Sequence, residues 1–438
     1  MNRQSGISAR NWMLIWVLGM AGQICWNIEN SWFNTFVYAK IAKDPAIISW
    51  MVGISAVVST LTTFVIGTWG DRVGRRKPFI AVGYIGWGMF TMAFGATEFL
   101  PKEPLITAMV IVVVADAIMS FFGSTGYDAG YNPWTTDISN VHNRGKLGGA
   151  LAAMPVFATI FGAVVSGMLV DALDFFPFFS LMGGLVTVMG IFTLFSLKDD
   201  PGLKGRKLEG GYLKQFAEVF HLKTVLDNKE LFWVFVINGV FFTAFNVYFP
   251  YITIYLNNYL KMSYSLSGTL QGIGLVAAIL LTIPAAKLIQ KGKVTTVIWL
   301  AVVANTLGLL VISQVSSMYL LLLGIFGAGI GYVLMMQTMT AWVKNLYPEQ
   351  QRGQFEGIRM IFAVCLPMVI GPFISGIVIR RFGVYMVMDG VGGMVPTELL
   401  FLVSAGVTIL TLLPLIPAGK YARSRVQSEI NHASTWEG

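Results

Sequence analysis

Apolar residues along this chain form twelve long runs that are separated by shorter polar stretches. A helical run of about 20 residues, rising 1.5 Å per residue, is long enough to cross a bilayer. Only a helix can cross in this way without exposing unpaired backbone groups to lipid. The pattern therefore predicts an all-α polytopic membrane protein with twelve transmembrane helices, near residues 12–38, 47–69, 79–98, 105–127, 147–170, 175–197, 230–257, 266–289, 294–314, 317–343, 356–379 and 397–417.

Composition and charge support the same class. Of 438 residues, 55% are hydrophobic and 12% are charged, whereas soluble domains contain about 25% charged residues. The net charge of +8 does not indicate a nucleic-acid partner, because most of the 30 lysines and arginines fall in the tails and in alternate loops. This asymmetry predicts cytoplasmic N- and C-termini. The lack of any N-x-S/T sequon fits a bacterial plasma (inner) membrane, with the lipid bilayer as surroundings.

The order of the runs predicts two halves. We assign residues 1–197 to an N-terminal six-helix bundle, 198–229 to a cytoplasmic linker, 230–417 to a C-terminal six-helix bundle and 418–438 to a cytoplasmic tail. The linker has the turn-forming sequence DDPG from Asp199. Within it, Tyr212–Leu226 has apolar residues at helical spacing and is predicted to lie on the inner membrane surface.

A short motif occurs in both halves. Asp137 precedes Arg144 and a glycine, and Asn345 precedes Arg352 and a glycine at the same spacing. Each pair is followed by a predicted helix with two spaced glycines. The motif indicates an internal duplication with parallel repeats.

The loop between the second and third predicted helices carries the most specific motif. The stretch Gly67–Lys77 reads GTWGDRVGRRK and fits the pattern G-x-x-x-D-R-x-G-R-R-K at every fixed position. In this motif the chain resembles the major facilitator superfamily. The resemblance implies a secondary transporter with two six-helix bundles and alternating access around a central site.

The same loop supplies a predicted conformational latch. Its glycines allow close backbone approach and a tight turn, its cations favour the cytoplasmic side, and its acid can pair with a cation or a helix N-terminus. The predicted latch residues of this loop are Gly67, Asp71, Arg72, Gly74, Arg75 and Arg76.

The first predicted helix has a polar and aromatic face. Trp26, Asn30 and Asn34 are four residues apart, and Glu29 lies on an adjoining stripe. An ionisable side chain costs roughly 2.5–3.5 kcal/mol in a membrane helix, so an intramembrane acid points to a function. Because indole rings stack on sugars and carboxylates and amides bind hydroxyl groups, we interpret these residues as substrate contacts. The alternative is that Glu29 only joins helices.

Asp116 lies near the middle of the fourth predicted helix, among valine, alanine and isoleucine. No lysine or arginine lies at a matching depth in the N-terminal half. A buried carboxyl group without a counter-charge is easily protonated, which suits a proton carrier. Asp116 is therefore the predicted residue for proton coupling, with a purely structural role as the alternative.

Further polar residues complete the candidate sites. In the C-terminal half, substrate contacts are predicted for Asn246, Gln337 and Trp342, although aromatic packing is the simpler interpretation for any one of them. Residues near the ends of predicted helices 4, 10 and 11 are assigned to gating: Asp128, Asp137, Arg144, Arg352, Glu356 and Arg359.

Three segments are similar to the glycoside–pentoside–hexuronide symporters and the related sucrose carriers: Trp26–Asn30, Asp137–Gly145 and Pro348–Gly357. This resemblance implies cation-linked uptake of a sugar or glycoside, with Glu29 and Asp116 as sugar contacts. Helix 2 lacks the acids of the sodium-coupled members, so the proton is the expected coupling ion and sodium the less favoured one.

Two other functions stay open. One is an exporter of drugs, lipids or sugar phosphates, and the other is a transport-inactive membrane receptor or scaffold. An enzyme is not expected, since three histidines and two cysteines give no catalytic or metal-binding cluster. We expect no cofactor and no metal, a small carbohydrate-like substrate, and a monomer.

Overall fold

The computed structural model describes residues 7–139, 143–199, 205, 228–314, 317–346, 358–388 and 390–434, without the side chains of 144, 145, 152, 344, 388 and 425–434. The predicted surface helix Tyr212–Leu226 lies outside the described residues. In the described part, eleven helices are long and apolar enough to cross a membrane. The first helix is not among these eleven, because its polar residues lower its hydropathy.

The first six helices follow the predicted runs, except that the fourth continues past its predicted end at residue 127 to Asp137. Helix α1 begins with Ala9–Asn27 and continues through a π-helical stretch Ile28–Phe33, the α-helical turn Asn34–Phe36 and a second π-helical stretch Val37–Ile41. The next five are α2 (Pro45–Val73), α3 (Lys77–Phe99), α4 (Leu105–Asp137), α5 (Arg144–Leu173) and α6 (Phe175–Ser196).

Six further helices make up the second half of the chain. They are α7 (Lys229–Tyr259), α8 (Tyr264–Gln290), α9 (Val294–Gln314), α10 (Met318–Leu346), α11 (Ile358–Phe382) and α12 (Leu399–Ser424). Between α11 and α12 lie two antiparallel strands, β1 (Val384–Met388) and β2 (Val391–Val395).

The described residues fall into two compact units. The first contains those within 1–212, 249–272 and 375–397, and the second those within 213–248, 273–374 and 398–438. Residues 249–259 of α7, 264–272 of α8 and 375–382 of α11 thus belong to the first unit, together with the hairpin. The assignment of residues 1–197 and 230–417 to two bundles stays a prediction.

Aromatic packing fills the first unit. The rings of Phe33 and Phe94 stack with centroids 3.8 Å apart, and Phe179 meets Phe33 edge-on at 5.0 Å. All three side chains are fully buried. In the second unit, the buried core includes Leu231, Phe235, Ile298, Met335 and Trp342.

The hairpin is the main element that the hydropathy pattern does not predict. Met388 pairs with Val391, so the turn has two residues, and its Gly390 has a φ of +75°. The backbone N–H of Met394 donates to the carbonyl of Lys43 at 3.0 Å. A Cβ atom at Gly393 would lie 2.2 Å from that carbonyl oxygen, so the hairpin can approach Lys43 only with glycine here.

Helices α3 and α6 approach each other through two glycines. A Cβ atom on Gly88 would lie 2.2 Å from the carbonyl oxygen of Gly183, and one on Gly183 would lie 2.5 Å from that of Gly88. Both contacts are to backbone atoms, which cannot rotate away. The two helices can therefore pack this closely only without side chains at these positions.

We expect Gly88→Ala to lower the free energy of unfolding by about 1–3 kcal/mol, because the added methyl group forces α3 and α6 apart. Gly184→Ala is the matched control, since no described atom lies within 4 Å of a Cβ atom at Gly184. The measurement is the melting temperature of each variant in detergent. Equal melting temperatures for the two variants would contradict the close contact.

Candidate functional site

The two predicted intramembrane acids lie on adjoining faces of α1 and α4. The hydroxyl of Ser120, on α4, donates to Oε1 of Glu29 at 2.5 Å. Ser120 follows Asp116 by one helical turn, so both project from the same face of α4. Glu29 and Asp116 are 7% and 2% exposed, which places two carboxyl groups in one buried cluster.

Serine hydroxyls of α2 complete this cluster. Ser55 donates to Oδ2 of Asp116, and the hydroxyls of Ser59 and Ser124 are bonded to each other. Ser55 and Ser59, one turn apart on α2, therefore face Asp116 and Ser124, two turns apart on α4. This face of α2 carries no acid, but its Ser55 hydroxyl provides a hydrogen bond to the acid of α4.

Each carboxyl group has one bonded and one open oxygen. Oε2 of Glu29 and Oδ1 of Asp116 are buried and have no hydrogen-bond partner among the described residues. Ion pairs between described residues, such as Lys40–Asp174, Arg76–Asp71, Arg76–Asp137 and Arg380–Asp44, lie away from this cluster. Within the described part, the cluster thus consists of two acids and neutral hydroxyl groups.

The other predicted substrate contacts on α1 mainly interact with neighbouring groups of the protein. The side-chain amide of Asn30 donates to the carbonyl of Trp26 at 2.7 Å, and that of Asn34 donates to the carbonyl of Asn30 at 2.8 Å. These bonds satisfy backbone carbonyls where the helix passes into its π-helical stretch. The Trp26 ring lies 4.9 Å from that of Trp87 on α3 and is partly exposed.

In the C-terminal half, three predicted substrate contacts have protein partners. Nε1 of the buried Trp342 donates to Oε1 of Glu230 at 2.9 Å. Gln337 donates to the carbonyl of Thr282 at 3.1 Å, and Asn246 to that of Phe242 at 2.8 Å. Glu230 is not among the predicted contacts, because it is the first residue of the run predicted at 230–257, where an acid can ordinarily reach water; the structure nevertheless buries it.

The loop between α2 and α3 is held by a charged network. Nη2 of Arg76 lies 2.6 Å from Asp71, and its Nε lies 2.9 Å from Asp137. Burial would lower the pKa of Arg76, but its bonds to Asp137 and Asp71 raise that pKa above its usual value. Oδ1 of Asp199 accepts from the backbone N–H groups of Arg76 and Lys77, which begin α3.

The structure agrees with the predictions for some of the other loop residues and not for others. Gly74 ends α2 with a φ of +67°, as a tight turn requires, and its N–H donates to the carbonyl of Gly70. The close approach expected at Gly67 is not seen, since no described atom lies within 4 Å of a Cβ atom placed there. Arg72 is half-buried and Arg75 is exposed.

The other gating residues are only partly described. Asp128 lies half-buried in a π-helical stretch of α4, Ser124–Tyr131, and Asp137 ends that helix. Pro133 does not end α4. It lies in the α-helical turn Asn132–Asp137, which directly follows the π-helical stretch. Arg359 is half-buried near the start of α11. The Arg144 side chain and residues Arg352 and Glu356 lie outside the described part.

The sequence matches the profile of a known protein family, and the fold matches solved structures. The sequence profile of the Major Facilitator Superfamily matches residues 15–304 and 234–435. The chain belongs to the major facilitator superfamily. It is therefore an all-α membrane protein with many spans that belongs to a family of transporters.

Two solved structures illustrate the likeness in fold. A mutant of the nucleoside transporter NupG superposes with a TM-score of 0.73 at 12% identity, over 93% of this chain and 99% of that one. A bacterial homologue of the iron transporter ferroportin, in an inward-facing state, superposes with a TM-score of 0.63 at 13% identity, over 93% of this chain and 98% of that one. At such identities the similarity shows the fold alone. No curated protein matches the sequence.

We expect Arg76→Ala to lower the free energy of unfolding by about 1.5–3 kcal/mol, because hydrogen bonds to two carboxylates are lost. Arg75→Ala is the matched control and should change it by less than about 0.5 kcal/mol, since Arg75 is exposed. Thermal unfolding of the purified variants measures both. Similar losses for the two arginines would mean that the network adds no stability.

Proposed function

We propose that this protein is a secondary active transporter that couples the uptake of a sugar, glycoside or related small polar solute to protons. It works by alternating access as a monomer in the plasma membrane, with both termini in the cytoplasm. Glu29 and Trp26 contact the solute, and Asp116 carries the coupling proton.

The buried cluster of Glu29, Ser120, Asp116 and Ser55 is the observation that supports this proposal. Two buried acids without a bonded cation in the described part have a ready way to become neutral, namely protonation. A residue that gains and loses a proton inside a membrane helix is what proton coupling requires. The hydroxyl donors hold each carboxyl group in place in either state.

The solute class rests on chemistry next to this cluster. Trp26 offers a partly exposed aromatic face, and the carboxyl group of Glu29 can accept from sugar hydroxyls. The similarity in fold to a nucleoside transporter adds pentose-containing nucleosides to the solutes worth testing. An exporter of drugs, lipids or sugar phosphates, or a transport-inactive receptor, would respond differently in the same experiment.

We expect one class of sugar, glycoside or nucleoside to raise the melting temperature of the purified protein. A ligand at 100 times its Kd adds about 2.7 kcal/mol to the stability of the bound state. The panel includes sugar phosphates, lipids and hydrophobic cations, each with sodium or choline as the salt. A response to lipids or hydrophobic cations alone would support the exporter. Stabilisation by a solute that the protein does not exchange in proteoliposomes would favour the transport-inactive receptor.

We expect Asp116→Asn to abolish the pH-driven accumulation of the stabilising solute in proteoliposomes and to leave solute exchange intact. Exchange needs only the loaded carrier to reorient, whereas accumulation needs a proton to be picked up and released. Glu103→Gln, an exposed acid before α4, is the control and should accumulate solute normally. Normal accumulation by Asp116→Asn would remove Asp116 from the coupling role.

A further inference from the structure

We propose that Glu29 and Asp116 share a single proton and titrate as one unit, so that the protein carries one proton per cycle. The sharing is a property of the folded chain, whereas the count per cycle rests on the function proposed above. Neither carboxyl group can then carry the coupling proton without the other. Two independent carriers, with two protons per cycle, are the alternative.

The contact through Ser120 carries the geometric argument. Ser120 donates to Glu29 at 2.5 Å and projects from the same face of α4 as Asp116. Side chains four residues apart on a helix have Cβ atoms about 5–6 Å apart. The carboxyl group of Glu29 therefore lies within about one helical turn of the position from which Asp116 projects.

The open oxygens give the second, independent observation. Both acids are more than nine-tenths buried, and Oε2 of Glu29 and Oδ1 of Asp116 have no partner among the described residues. Ser120 and Ser55 already donate to the other oxygen of each group. A proton on either open oxygen would turn one of the two unpartnered acceptors into a donor.

Repulsion explains why the pair holds one proton rather than none. Two ionised carboxylates that lie close together in a medium of low dielectric constant repel each other strongly, so such pairs keep one proton between them. Loss of the last proton is unfavourable without a nearby cation. The second proton binds in a separate step from the first, because the two hydroxyl donors stabilise the single negative charge that remains on the pair.

Few other ionisable groups face this pair. Cys25 lies one turn before Glu29 on α1, Tyr84 of α3 donates its hydroxyl to the carbonyl of Leu18, and Asp128 lies farther along α4. Thiol and phenol groups ordinarily stay neutral below about pH 8. The charged residues of α2, α3 and α5 are confined to the ends of these helices, and α6 has none.

The experiment compares melting temperatures from about pH 5 to about pH 8 for the wild type, Glu29→Gln, Asp116→Asn and the double variant. In the unfolded chain both acids are solvated and release their protons readily, so the folded pair binds more protons. The wild-type melting temperature should therefore fall as the pH rises. Either single variant should remove this fall, and the double variant should remove no more.

The control is an exposed acid before α4. Glu103→Gln should keep the wild-type profile. If each single variant removed part of the fall and the double variant removed the sum, the two acids would be independent and the proposal would be wrong. A flat wild-type profile would also contradict it. A melting temperature that is higher in sodium than in choline, with a difference that Asp116→Asn abolishes, would also contradict the proposal, because the site would then hold a cation.

Two readouts cover the cases in which a variant does not fold or no solute is found. The infrared spectrum of the wild type at neutral pH should contain the band of a buried protonated carboxyl group, and its absence would overturn the proposal without any variant. With a transported solute, each single variant should lose all pH-driven accumulation. Half the proton-to-solute ratio in each single variant would instead indicate two carriers.

Discussion

The free-energy cost of a charge in hydrocarbon determines where this chain places its ionisable groups. The interiors of the helices in the first unit contain few acids, and Glu29 and Asp116 are held there by hydroxyl groups of neighbouring helices. Arg76, by contrast, is buried at a helix end, where it reaches two carboxylates at once. The same cost therefore leads to hydrogen bonds from hydroxyl groups within the helices and to ion pairing at a helix end.

Backbone hydrogen bonding imposes a second requirement, and polar side chains meet it. Where α1 passes into π-helical geometry, the amides of Asn30 and Asn34 donate to carbonyl oxygens one turn earlier. Threonines in other helices do the same, as Thr60 does to Ala56 and Thr193 to Met189. Polar residues within a membrane helix thus serve the backbone, and those with open atoms, such as Oε2 of Glu29 and Oδ1 of Asp116, remain the candidates for transport.

The sequence predicts the helices well, since a span depends on local hydropathy alone. The run predicted at 294–314, for example, coincides with α9. Pairing partners are harder to predict, because Asp199 caps α3 from more than a hundred residues away. The predicted stripe of Trp26, Asn30 and Asn34 assumed α-helical spacing throughout, but a π-helical stretch widens the turn and alters which side chains align. The hairpin did have a local signal, an Asp-Gly pair between the apolar residues Met388 and Val391.

That hairpin has a practical consequence for labelling the protein. Its base is fixed to Lys43 through Gly393, where no side chain fits, whereas no described atom lies within 4 Å of a Cβ atom at Gly390 in the turn. An epitope tag or fluorophore inserted at the turn would extend into open space and leave the strand register intact. The same insertion three residues later would separate the loop from the end of α1. The turn is thus the place from which a reporter can follow this end of the molecule without disturbing it.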